Sequence, residues 1–318
     1  MNSKALGQSA LSRRDLVILV LLTLAWGINW PIMKFGVREM EPLTFRALCM
    51  IGGLPLLFLI IRKKGLTLAI PRHYWRESFW IALTNMVGWY VFAMYGVKLL
   101  SSGRAAILGY TMPIWVALFG YLIFKSETTR RLWIGVALAS LGVVFLLAGE
   151  LSSISGRPLG AIFMLIAGAI WGLGTHLMKR RKQNTHVYVV TFWSLSLALL
   201  VCGFVALTFE QAGWKSWFFA DPVTGTAAKF PSASAWWAVL YNSVVVFTFA
   251  QVAWFRLTLI LPPVASGLSI MMIPVVGVFS GMWMLGEMVH WNDYAALATI
   301  IGAIACVLWP TKSSKVGG

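Results

Sequence analysis

Trp26, Asn29 and Trp30 stand at i, i+3 and i+4, so on a helix the two indoles and the amide share one face, and Lys34 extends that face by a turn. Such a set does not break bonds. It holds a molecule, with a flat apolar wall for stacking and an amide for hydrogen bonding. Three further sets have the same character. Asn85, Trp89 and Phe92 share a face with Tyr90 beside them. Trp171 and Thr175 are a turn apart with His176 adjacent. Ser243, Phe247, Gln251 and Trp254 follow at spacings of four, four and three. Polar groups interleaved with aromatics on four helices suit an amphipathic ligand with a ring at one end and hydrogen-bonding groups at the other. Two positions admit a second reading. Asn29 can tie two helices together by a hydrogen bond, and His176 can be a packed or snorkelling side chain instead of a ligand contact.

The sequence offers no catalytic constellation beside this binding chemistry. There is no His-Glu-x-x-His helix, Gly-x-Ser-x-Gly turn, phosphate loop or cysteine–histidine metal spacing, so neither catalytic residue nor cofactor nor metal is expected. Cys49, Cys202 and Cys306 lie far apart in apolar runs and read as small core residues. All ten acidic residues fall at or beyond the expected helix ends, leaving no carboxylate at mid-membrane to trade a proton for a cation.

The elements that must position these residues are membrane helices. Of the 318 residues 59% are hydrophobic and 11% charged, against about 25% charged in a soluble domain. Apolar runs of ~20 residues are long enough to span a bilayer. Ten are expected, over 16–35, 43–61, 79–97, 105–124, 132–149, 159–178, 187–209, 235–259, 264–285 and 294–309, with Pro262-Pro263 separating the eighth from the ninth. The fold class is therefore all-α and polytopic. The net charge of +16 reflects topology, not nucleic-acid binding. With both termini in the cytoplasm, 18 of the 26 basic residues lie inside; Lys34, Arg38, Arg46, Lys98, Arg104, Arg157, Lys215 and Lys229 lie outside.

A repeat divides the chain. Trp26-Gly27 and Met33-Lys34 return 145 positions later as Trp171-Gly172 and Met178-Lys179. Met112-Pro113 is echoed by Ile273-Pro274, with Glu127 and Glu287 following each pair. Pro113 and Pro274 are expected at mid-span, as hinges or as fixed bends. The organisation is a cytoplasmic segment 1–15, a five-helix repeat 16–149, a second repeat 150–310 and a cytoplasmic tail 311–318. Five helices is an odd number, so the second repeat enters from the opposite side and the repeats are inverted around a central cavity.

These features, the Trp-Gly pair opening each half, the paired prolines and the following glutamates, resemble the EamA repeats of the drug/metabolite transporter superfamily, and within it the YddG group of bacterial amino acid exporters. The resemblance implies ten helices, a cavity between the halves, a bacterial inner-membrane location and export of aromatic and other neutral amino acids by a protein working as a monomer in the bilayer. The second copy has Gly174-Thr175-His176 where the first has Asn29-Trp30-Pro31, so the halves cannot line the cavity alike. Other readings are export of a purine or sugar derivative, an intramembrane enzyme, or a structural membrane protein.

Overall fold

The computed structural model describes residues 13–125, 130–152, 158–220, 226–254 and 263–308. The N-terminal segment to residue 12, Glu127, Pro262 and the tail from 309 lie outside the described residues. The described chain is helical, without strands. Helix α1 is Arg13–Glu39 and α2 Pro42–Lys63; α3 (Trp75–Ala82) continues through a π-helical segment, Leu83–Gly88, into α4 (Trp89–Leu99). Next come α5 (Ser102–Gly109), α6 (Met112–Leu122), α7 (Arg130–Ser152), α8 (Pro158–Lys179), α9 (Val187–Thr208) and the short α10 (Gln211–Lys215). Helix α11 (Ala233–Tyr241) runs into a second π segment, Asn242–Ala250, and α12 (Pro263–Leu285) and α13 (Trp291–Leu308) complete the bundle. Seven helical stretches among the described residues are long and apolar enough to cross a membrane: Arg13–Glu39, Pro42–Lys63, Arg72–Leu99, Ser102–Leu122, Pro158–Lys179, Val187–Thr208 and Ala233–Trp254. Large apolar side chains such as Val17 and Val20 on α1 and Leu200, Phe204 and Leu207 on α9 are exposed, as a lipid-facing surface requires.

Local chemistry sets the helix limits. Asp15 in the first turn and Arg38 in the last complement the α1 dipole. Pro42 opens α2, where its missing N–H costs nothing. Gly65 and Gly286 adopt φ of +66° and +64° just past α2 and α12, a left-handed conformation that a residue with a Cβ adopts at a penalty.

The helix expected over 105–124 is not continuous. It breaks at Tyr110–Thr111, where the Thr111 hydroxyl donates to the Leu108 carbonyl at 2.7 Å and Pro113 falls in the first turn of α6. A helix interior needs an N–H at that position, whereas a first turn does not. Pro274, in contrast, lies inside the continuous α12, and Pro31 inside α1.

Packing follows the repeat. Helix α1 packs on α12 and on the second π segment; α8 packs on α6 and on α4; α2 pairs with α9, and α7 with α13. The repeated glycines make two of these contacts possible. A Cβ on Gly27 would sit 2.4 Å from Val276 Cγ1, and one on Gly172 would sit 2.9 Å from Trp115 Cβ. Without hydrophobic pressure between helices, such close backbone approach is what gains van der Waals contact in a membrane.

Candidate functional site

Helix faces from both halves converge on one cavity of about 140 Å³. Trp26, Asn29, Trp30 and Met33 come from α1, Arg46 from α2, and Asn85 and Met86 from the first π segment. Trp89, Tyr90, Ala93 and Met94 come from α4, Tyr110 and Met112 from the α5–α6 break, Trp171 from α8, and Val246, Gln251 and Trp254 from the second π segment and the turn after it. Both π segments border this space. A π turn widens the helix and offsets its side chains, and such turns recur at functional sites. Here Thr248 Oγ1 donates to the Ser243 carbonyl five residues back at 2.9 Å.

Two tryptophan pairs brace the walls. Trp26 meets Trp254 at a centroid distance of 5.4 Å, and Trp89 meets Trp171 at 6.5 Å. Each indole of the repeated Trp-Gly therefore faces a tryptophan just beyond a π segment in the other half. Trp30 is seated over the α5–α6 break, edge-on to Tyr110 at 6.2 Å, and a Cβ on Gly109 would lie 2.7 Å from its Cη2.

The polar groups of the cavity are few and incompletely bonded. Arg46 is 2% exposed. Its guanidinium lies 4.3 Å from the Tyr90 ring centroid and 5.2 Å from that of Phe247. Nη1 donates to Asn242 Oδ1 at 3.2 Å and Nη2 to Met33 Sδ at 3.5 Å, while Nε has no partner. Asn29, 6% exposed, leaves Oδ1 without a partner. Asn85 Nδ2 donates to the Ile81 carbonyl at 3.1 Å. Among the described residues the cavity lining contains no Asp or Glu.

Of the residues expected from the sequence, Trp26, Asn29, Trp30, Asn85, Trp89, Tyr90, Trp171, Gln251 and Trp254 line the cavity. Four do not. Lys34 Nζ donates to the carbonyls of Val97, Lys98 and Leu100 at 2.8, 2.8 and 2.6 Å, capping the end of α4. Thr175 Oγ1 is turned back onto the Trp171 carbonyl at 3.0 Å. His176 Nε2 lies 2.6 Å from the Val116 carbonyl with its ring stacked on Phe124. Ser243 Oγ is held between the Cys49 and Val239 carbonyls at 3.0 and 2.8 Å. Arg46, Tyr110 and the four methionines of the lining were not expected. Arg46 reads in the sequence as one more outer-side cation, yet it is an ionisable residue inside an apolar run, which by itself marks a candidate site.

One end of the bundle, carrying the α1–α2, α4–α5 and α12–α13 connections, is tied by carboxylates. Glu210 accepts from the Leu43 and Thr44 amides at 3.1 and 2.7 Å, the Thr44 hydroxyl at 2.8 Å and the Tyr95 hydroxyl at 2.9 Å. Glu287 accepts from the Ser102 amide and hydroxyl, both at 2.7 Å, and the Gly103 amide at 3.2 Å. Lys98 pairs with Glu41, and Arg104 Nε with Asp293 at 2.6 Å. Carboxylates at helix N-termini satisfy the open N–H groups and the dipole together. At the other end Glu77 accepts from the Lys182 and Gln183 amides at 2.6 and 3.3 Å.

A membrane bundle with an aromatic cavity between two related halves has the makings of a transporter. The chain belongs to the EamA-like transporter family, whose model matches residues 14–148 and again 158–309. It is 24% identical to the uncharacterized transporter YoaV of Bacillus subtilis over 86% of this chain and 89% of that one. It is 23% identical to a probable amino-acid metabolite efflux pump of Salmonella typhimurium, covering 92% and 94%, and 25% identical to the uncharacterized inner membrane transporter YedA of Escherichia coli, covering 92% and 91%. A solved crystal structure shares the fold, with a TM-score of 0.61 and 18% identity over 93% of this chain and 98% of its own.

Proposed function

We propose that this protein exports amino acids, aromatic and other neutral ones favoured, across a bacterial inner membrane, in the manner of the YddG group. It would work as a monomer, by alternating access between two inverted five-helix repeats of 16–149 and 150–310. The observation that carries the reading is the cavity, in which aromatic walls from both halves surround a few underbonded polar groups. Rings stack on Trp26, Trp30, Trp89 or Trp171, while Asn29, Asn85 and Gln251 supply hydrogen bonds. The relative named as an amino-acid metabolite efflux pump supports the substrate class, and the relative named as an inner membrane transporter supports the location.

The packing supports the inverted layout of ten spans. Under that count, the glycine of each first helix meets the fourth helix of the other half, and each first-helix tryptophan meets the third. The third helix of each half also carries the π segment. With both termini cytoplasmic, the carboxylate-tied end faces outward. Alternating access would then release the Glu210, Glu287 and Glu41–Lys98 contacts, with the α5–α6 break before Pro113 and the Pro274 turn as flexing points.

The test is flux of labelled phenylalanine from proteoliposomes containing only this protein. Substrate-dependent efflux, competed by other neutral amino acids, is expected. Absence of phenylalanine flux together with flux of a purine or a sugar derivative would transfer the proposal to that substrate.

A further inference from the structure

We infer that the carboxylate is the group this cavity requires of its ligand and that the ammonium is dispensable, so that the site takes ring-bearing monocarboxylates whether or not they carry an amine, with Arg46 as the residue that binds the carboxylate. The inference rests on the reading of the cavity as the substrate site.

Arg46 is buried and stays charged in a protein. A buried guanidinium is expensive unless an anion faces it. None does among the described residues: its partners are a neutral amide oxygen, a thioether sulfur and two ring faces, and no carboxylate lines the cavity. The rings of Tyr90 and Phe247 lie against the guanidinium by cation–π contact, and Nε is left without an acceptor. A guanidinium among the lining residues that keeps an N–H without an acceptor is a donor suited to a carboxylate oxygen. Nothing comparable awaits an ammonium. The lining residues include Asn29, whose Oδ1 has no partner, and several aromatic rings, which are neutral groups that tolerate a cation without demanding one. A neutral acceptor left unpaired costs far less than an unpaired charge, so loss of the amine is the smaller defect. The four methionines of the lining, Met33, Met86, Met94 and Met112, add adaptable apolar surface around the ring.

The experiment measures binding to the purified protein in chloride-free buffer by titration calorimetry, with four probes: phenylalanine, 3-phenylpropionate, phenylalaninamide and phenethylamine. Phenylalanine and 3-phenylpropionate are expected to bind within about tenfold of each other, and the two probes without a carboxylate at least about 30-fold more weakly. Arg46→Met, which replaces the buried cation by an apolar side chain of similar length, should lose the preference for acids while its thermal unfolding temperature holds or rises. Arg46→Lys should keep part of the preference. If Arg46→Met does not fold, the four-probe series on the native protein decides alone. 3-Phenylpropionate binding far more weakly than phenylalanine, phenethylamine binding as tightly as 3-phenylpropionate, neither acid binding, or an Arg46→Met protein that keeps its acid preference would each overturn the inference. Binding of 3-phenylpropionate without phenylalanine flux in proteoliposomes would leave the inference standing and remove the amino acid reading. Phenylalanine flux with no preference for acids would do the reverse.

Discussion

Lys34 separates a substrate contact from a structural one, and its replacement by methionine is the sharpest test of how the bundle is held. The ammonium donates to three carbonyls, of Val97, Lys98 and Leu100, at the last turn of α4. A hydrogen bond to a charged group contributes roughly 1.5–3 kcal/mol, and a cation at a helix C-terminus adds about 0.3–1 kcal/mol. The three bonds share one ammonium and are not additive, so the loss in Lys34→Met should be about 3 kcal/mol. That corresponds to a fall in unfolding temperature of roughly 5–10 °C. Lys34→Arg should lose a smaller part, because a planar fork cannot aim at three carbonyls that converge on one point. Lys179→Met is the control: it is the repeat counterpart of Lys34, but its side chain is exposed at the end of α8. The assay is thermal unfolding in detergent, paired with phenylalanine flux at a temperature where both proteins are folded. If Lys34→Met kept its unfolding temperature while its affinity for phenylalanine fell, Lys34 would be a substrate contact and the capping argument would be wrong.

Four further outcomes follow from the same geometry. Asn29→Ala and Trp30→Ala should each weaken phenylalanine transport several-fold with normal folding, whereas Ile28→Ala, outside the cavity lining, should change it little; equal effects would place the ligand elsewhere. Gly27→Leu should reduce folded protein recovered by size-exclusion chromatography, since even a Cβ there would sit 2.4 Å from Val276, and normal recovery would contradict the close α1–α12 contact. Efflux down a phenylalanine gradient should persist with no pH difference, because no carboxylate lines the cavity among the described residues; strict dependence on an imposed pH difference would refute this. A location-reporting tag fused after Gly318 should read cytoplasmic and one inserted between Ala220 and Lys229 periplasmic; the same reading from both would refute the ten-span topology.

The faces of α1, α4 and the stretch after the second π segment were legible because helical periodicity is a local rule. Residues three and four apart meet whatever surrounds them, and Trp26, Asn29, Trp30, Trp89, Gln251 and Trp254 indeed line one cavity. The same rule failed for Ser243 and Thr175. A π turn shifts the register of the helix that carries Ser243, and the Thr175 hydroxyl finds its acceptor a turn back in its own helix. The break at Tyr110–Thr111 was hidden for a related reason: a proline in an apolar run marks either a kink or a new first turn, and only the neighbouring helix settles which.

Composition and repeat by themselves determined that this chain is a membrane protein in two related halves, because bilayer insertion depends on apolar length and a repeated unit copies its own pattern. What each repeated residue does was decided by the tertiary structure. Trp26 and Trp171 have matching partners, whereas Lys34 caps a helix and its counterpart Lys179 is exposed. Arg46 shows the division most clearly. In the sequence it is one basic residue near a helix end, to be counted for topology. In the fold, α4 and the second π segment close over it and remove it from solvent. The value of a charge depends on the dielectric and the partners around it, and those come from residues far away in the chain.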